Sequence, residues 1–86
     1  MAFVYILKSL KTNRYYIGST FDLDERLKRH QNGLVFSTRN SRPWKKIFSQ
    51  EYSTITQAKR IELRLKKLKR RDYIEKIIKD GFIKIT

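Results

Sequence analysis

An α/β (α+β) fold, a three-stranded antiparallel sheet flanked by about three helices, is what this sequence predicts, and three observations predict it. Two runs rich in Tyr, Ile, Val and Phe, residues 3–7 and 14–19, are separated by the polar "KSLKTN", the pattern of a β-hairpin. Two capping boxes, Asp22 with Glu25 and Thr54 with Gln57, each open a run with apolar residues at helical spacing. The order that results, ββαβαα, pairs the strands antiparallel and leaves the helices to cover the sheet.

Side chains alternate along a strand, so Phe3, Tyr5 and Leu7 share one face of the first strand and Arg14, Tyr16 and Gly18 one face of the second. Tyr5 and Tyr16 are thereby expected to be neighbours across the hairpin. Next, "FDLDERLKRHQNG" predicts a helix over 22–32 that stops at Asn32-Gly33. Residues 34–43, "LVFSTRNSRP", lack periodicity and end at the only proline, which predicts a loop placed to touch a ligand. "WKKIFSQEY" is the third strand. Ala58, Ile61, Leu65 and Leu68 recur at helical spacing through a helix of residues 55–69. Asp72 with Glu75 opens a last helix, closed by Gly81, and "FIKIT" is either a short strand or a docked tail.

At 86 residues the chain predicts one domain, 1–86, with one modest core. Twenty-one Lys and Arg against 8 Asp and Glu give a formal charge of +13, a field that attracts polyanions, so nucleic acid is the leading partner class. Cysteine is absent and His30 is the one histidine, which removes disulfides, thiolate metal sites and any site needing two imidazoles. The longest apolar run, "FVYIL", is too short for a membrane span or a signal-peptide core, and a cytoplasmic location without membrane partners is expected.

Sheet tyrosines are common because a pleated surface suits them, so spacing alone assigns Tyr5 and Tyr16 no chemistry. Arg26 and His30 lie four apart on one helical face, next to the stripe of Leu23 and Leu27. A cation at the edge of a core beside tyrosines suits a phosphate. Glu62 is the single acid among eight Lys and Arg between Lys59 and Arg71. It is either an i,i+4 partner of Lys66 or a carboxylate that recruits a hard divalent cation, since Mg²⁺ commonly binds through one or two carboxylates with water and substrate oxygens.

Taken together, "FVY" at 3–5, "YIG" at 16–18, "ERLKRH" at 25–30 and "AKRIELRLK" at 58–66 resemble the GIY-YIG nuclease superfamily, in particular its small single-domain members. The resemblance runs in order through nearly the whole chain. It implies Tyr5 and Tyr16 around an attacking water, Arg26 on the scissile phosphate, His30 as a supporting residue, and Glu62 as the single ligand of one Mg²⁺ or Mn²⁺. Three departures stand out. Phe3-Val4 replaces Gly-Ile in the first motif, Phe36 lacks a hydroxyl that many relatives carry after the first helix, and Ser19-Thr20 stands where some carry a lysine. Arg39, Lys45 or Lys46 is the expected substitute cation.

The function expected is metal-dependent endonucleolytic hydrolysis of DNA, with one Glu favouring one metal over a two-metal clamp. A tyrosine, with an ordinary pKa of about 10, needs nearby positive charge to serve as base; otherwise it orients a water that the metal activates. Lys66, Lys67, Lys69 and Arg70 join Arg39, Lys45 and Lys46 as the nucleic-acid-binding set. With little surface for reading bases, the domain is expected to select DNA structure, as in repair or recombination, with targeting by a protein partner left open. The alternative is a DNA- or RNA-binding module with lost or marginal catalysis. A basic helix on an anionic membrane fits less well, because the apolar face lacks bulky aromatics and is needed by the core.

Overall fold

A computed structural model describes residues 1–68 and 71–83. Strand β1 (Ala2–Ser9) and β2 (Tyr15–Thr20) form the hairpin; α1 (Leu23–Gln31), a 3₁₀ turn (Arg39–Ser41), β3 (Trp44–Tyr52), α2 (Ile55–Leu68) and α3 (Arg71–Asp80) complete the chain order. The sheet is antiparallel with β1 in the middle, in the order β2-β1-β3. This is the predicted α+β architecture. Both capping boxes form their helix-initiating bonds: Asp22 Oδ1 accepts from Glu25 N–H at 3.1 Å and Thr54 Oγ1 from Gln57 N–H at 3.2 Å. Gly81 closes α3 at φ +81°, where glycine carries no Cβ penalty.

As the central strand, β1 is buried on both sides, and its two faces serve different cores. Ala2, Val4 and Ile6 join Ile17 of β2 and Ala58, Ile61 and Leu65 of α2, with Ile74 and Ile77 of α3 behind them. Tyr5 and Leu7 point the other way, to Trp44, Tyr16 and the α1 leucines Leu23 and Leu27. Burial of the large apolar side chains, ~1.5–3 kcal/mol each, fixes the register, because a one-residue slip would exchange the two faces. The edge strand β2 thus has α1 on one face and α2 on the other.

The structure shifts some expected boundaries. β1 continues to Ser9 because its ladder with β3 runs on to the Ser9–Trp44 pair, whatever the polarity of Lys8. The expected loop 34–43 carries the 3₁₀ turn and buries Thr38 completely. Ile83 docks as a tail: its side chain is buried and its N–H donates to Gln50 Oε1 at 2.7 Å. Residues 84–86 of "FIKIT", together with Lys69 and Arg70, lie outside the described residues.

Candidate active site at the edge of the sheet

Tyr5 faces Gly18 directly across the β1–β2 ladder. A Cβ on Gly18 would stand 2.5 Å from Tyr5 Cζ and 3.0 Å from Cε1, so the glycine is the space into which the buried ring folds. Tyr16 pairs with Leu7 and sits diagonally, its ring 6.3 Å from that of Tyr5. The expected tyrosine neighbours are therefore in place. His30, completely buried at the end of α1, packs edge-on against both rings, 4.9 Å from Tyr16 and 5.8 Å from Tyr5.

A hydrogen-bonded line runs through this cluster. Arg26 Nε donates to Tyr5 Oη at 3.3 Å, Tyr5 Oη meets His30 Nε2 at 3.0 Å, and His30 Nδ1 meets Thr38 Oγ1 at 2.8 Å. Thr38 Oγ1 in turn donates to the Val35 carbonyl at 3.4 Å. With its proton used there, the Thr38 oxygen accepts from His30 Nδ1–H, the lone pair falls on Nε2, and Tyr5 donates to it. The backbone of Thr38 is pinned as well, its carbonyl accepting from Trp44 Nε1 at 2.8 Å. Burial pushes the Tyr5 phenol up to about 12 against the opposing bond from Arg26, and burial, then the Arg26 charge, holds His30 down at about 4. Both groups are neutral at pH 7. The bond to Tyr5 raises Arg26 further still, so it is a fixed cation.

The second half of the site comes from the other face of the sheet. Ser19 shares the α2-facing side of β2 with Ile17, and its hydroxyl donates to Glu62 Oε1 at 2.5 Å. Lys66, one turn on, reaches Glu62 Oε2 at 2.6 Å. A cleft of about 340 Å³ at the edge of β2 joins the halves, lined by Tyr16, Gly18, Ser19, Arg26, Lys59 and Glu62. The structure thus brings Tyr16, Arg26 and Glu62 to one opening, with Tyr5 and His30 immediately behind. Lys59, on the same face of α2 as Glu62, lines the opening together with Arg26. Lys45 and Lys46 lie on β3 at the far edge of the sheet, and Arg39 stacks at 4.6 Å on the exposed Phe36 ring. Lys67 is exposed on α2.

Sequence reasoning missed Thr38, Ser19 and Lys59. Strand alternation offered Ser19, and the i,i+3 spacing offered Lys59; Thr38 had no signal, since it sits in a segment without periodicity. Phe36 contributes no hydroxyl, and the one that this segment delivers to the cluster is that of Thr38.

No group of three or more His, Cys, Asp or Glu side chains able to hold a metal occurs among the described residues. A hard divalent ion would rest on one carboxylate, Glu62, beside the Ser19 hydroxyl. That oxygen donor set fits Mg²⁺ or Mn²⁺, which complete their shells with water and substrate oxygens.

This fold, with tyrosine, arginine and glutamate gathered at the edge of its second strand, defines a class. A family model described as the GIY-YIG catalytic domain matches residues 1–77, and the chain belongs to that nuclease superfamily. Within it the chain is similar to small proteins of one kind. It is 39% identical over 77 residues to the UPF0213 protein YazA of Bacillus subtilis (strain 168), covering 85% of this chain and 77% of that protein. It also matches the solution NMR structure of a UPF0213 protein from Bacillus halodurans, with TM-score 0.57, 31% identity, and coverage of 94% of this chain and 87% of that one.

Proposed function

We propose that this chain is a metal-dependent endonuclease that hydrolyses DNA phosphodiester bonds at a single site, with preference for DNA structure over sequence. The observation that carries the reading is the convergence of Arg26, Tyr16 and Glu62 on one opening backed by the Tyr5–His30–Thr38 line. Arg26 uses Nε on Tyr5, which leaves the terminal guanidinium N–H groups for the phosphate whose charge grows during attack. With its phenol near 12, Tyr5 holds almost no phenolate at rest. It instead takes the water's proton as it hands its own to His30 Nε2. Burial chiefly, and then the Arg26 charge, holds His30 down; the entering phosphate offsets the second of these and so raises the basicity of the imidazole when it is needed. Tyr16, at the mouth, orients the water. Glu62 would hold the divalent ion, which when bound supplies Lewis-acid stabilisation of phosphoryl charge.

One observation favours a second reading. Both Glu62 oxygens are engaged, by Ser19 and by Lys66, which suits a DNA- or RNA-binding module that uses Glu62 to brace its surface. The two separate on a panel of plain, nicked, branched and single-stranded DNA with Mg²⁺, Mn²⁺ or EDTA. The nuclease cuts at least one structure with metal and none with EDTA; the module binds and cuts nothing. The substrate in the proposed nuclease reading is of the repair type and is met in the cytoplasm, and any protein that directs the domain to it would be a separate partner.

A further inference from the structure

A second opening of about 440 Å³ lies beside the first; Tyr16 lines both, and Lys66 of the second pairs with Glu62 of the first. Arg14, Lys66 and Arg71 surround it, while Ile17 and Ile74, 7% and 6% exposed, close its floor. Among the described residues no carboxylate lines it. Such an opening, cationic at the rim and apolar beneath, matches a phosphate with its sugar.

Its geometry is held in advance. Asn13, in the left-handed region at φ +61°, turns its carbonyl toward α3, where it accepts from Arg71 Nη1 at 3.2 Å. The same guanidinium lies 5.0 Å from the centre of the Tyr15 ring. Arg71 is thus fixed by the hairpin turn and an aromatic ring at once, and its other N–H groups remain for an anion. Lys8 also lies over the Tyr15 ring, at 5.9 Å, so that ring organises cations and is a poor platform for a stacked base. Lys66, 5.7 Å from the Tyr16 ring and paired with Glu62, is the wall between the two openings.

We propose that this second opening is a backbone subsite, holding the phosphodiester and sugar next to the scissile phosphate on the strand being cut, with Arg14 and Arg71 as its phosphate-binding side chains. The inference rests on the nuclease reading and adds to it a direction for the strand, from the Arg26–Glu62 opening across Lys66 to the turn at Asn13. Because the contacts are to phosphate and sugar, the subsite is indifferent to base identity.

The test compares Arg14→Gln/Arg71→Gln with a charge-matched control, Lys76→Gln/Lys79→Gln, on a fluorescein-labelled 20-mer single strand and its duplex in EDTA over a range of salt. The subsite predicts about tenfold weaker binding for the first pair, a salt slope reduced by about two, and less than a twofold change for the control. A single neutral methylphosphonate scanned along the DNA should weaken binding to the wild type at one position beside the cut, and lose that effect in Arg14→Gln/Arg71→Gln. Equal weakening by both pairs, or unchanged binding in the first, overturns the subsite while a wild type that still cuts keeps the nuclease reading. A wild type that neither binds nor cuts any DNA removes both.

Discussion

Gly18 and Tyr5 act as one unit at the scale of single residues. Gly18→Ala places a methyl inside the Tyr5 ring's space, and in a core closed on both sides the ring must move; overpacking of this kind costs about 1–3 kcal/mol. A lowered melting temperature with loss of cleavage at permissive temperature is expected, whereas wild-type stability would mean that the ring is not held as described. Tyr5→Phe keeps the ring and removes the hydroxyl that carries the proton in the proposed mechanism, which predicts a fall in cleavage of at least a hundredfold, within the range of general acid–base contributions. Thr38→Val keeps the shape and removes the acceptor for His30 Nδ1–H. Cleavage should drop and its pH profile should change, with partial recovery in Thr38→Ser; a profile identical to wild type would separate Thr38 from the proton path. His30 also leaves a signature in stability. It sits near 4 in the folded chain against an ordinary 6.5, so as pH falls from about 6.5 to about 4 the unfolded chain takes up a proton that the folded chain refuses. Stability present above that window is lost within it, by up to about 3 kcal/mol. Thermal melts across pH 4–7 should show a shallower decline in His30→Gln.

At the scale of elements, the cleft exists because β2 is an edge strand with α1 on one side and α2 on the other. That arrangement was largely legible. Period-2 alternation placed Tyr5, Tyr16 and Gly18 together, the capping boxes placed Arg26 and His30 on α1, and helical spacing set Glu62 at the border of the α2 stripe. The tyrosine, arginine and glutamate roles themselves came from the family resemblance, since each residue has an ordinary structural use. What the sequence withheld was long-range closure. Thr38 is eight residues from His30 through an irregular segment, and its burial depends on Trp44 reaching back to its carbonyl. The substitute cation was expected on Arg39, Lys45 or Lys46, but the strand order puts Lys45 and Lys46 at the wrong edge and the opening is lined by Lys59. In the nuclease reading α2 faces the nucleic acid: Lys66→Gln with Lys67→Gln should weaken DNA binding several-fold, and unchanged affinity would take this helix off the binding surface.

For the whole molecule, the formal charge of +13 sets how it meets a polyanion, while in the nuclease reading one carboxylate decides whether that polyanion is cut. Affinity for DNA should fall steeply as salt rises; a flat response would count against nuclease and binding module alike. Glu62→Gln preserves the side chain's shape and removes the charge that attracts a divalent ion. Deleting an acid also makes the cleft more positive. The nuclease reading therefore predicts opposite signs for two quantities read on one variant: cleavage in Mg²⁺ or Mn²⁺ nearly abolished, and DNA binding unchanged or tighter. A purely structural Glu62–Lys66 pair predicts instead a stability loss of a few tenths of a kcal/mol with no selective effect on cleavage. The decisive measurement is cleavage and binding of the same labelled DNA by wild type and Glu62→Gln, with metal and with EDTA. Tight binding without cleavage in the variant, beside EDTA-sensitive cleavage in the wild type, is the result expected; cleavage that survives in Glu62→Gln, or that ignores EDTA in the wild type, would contradict it.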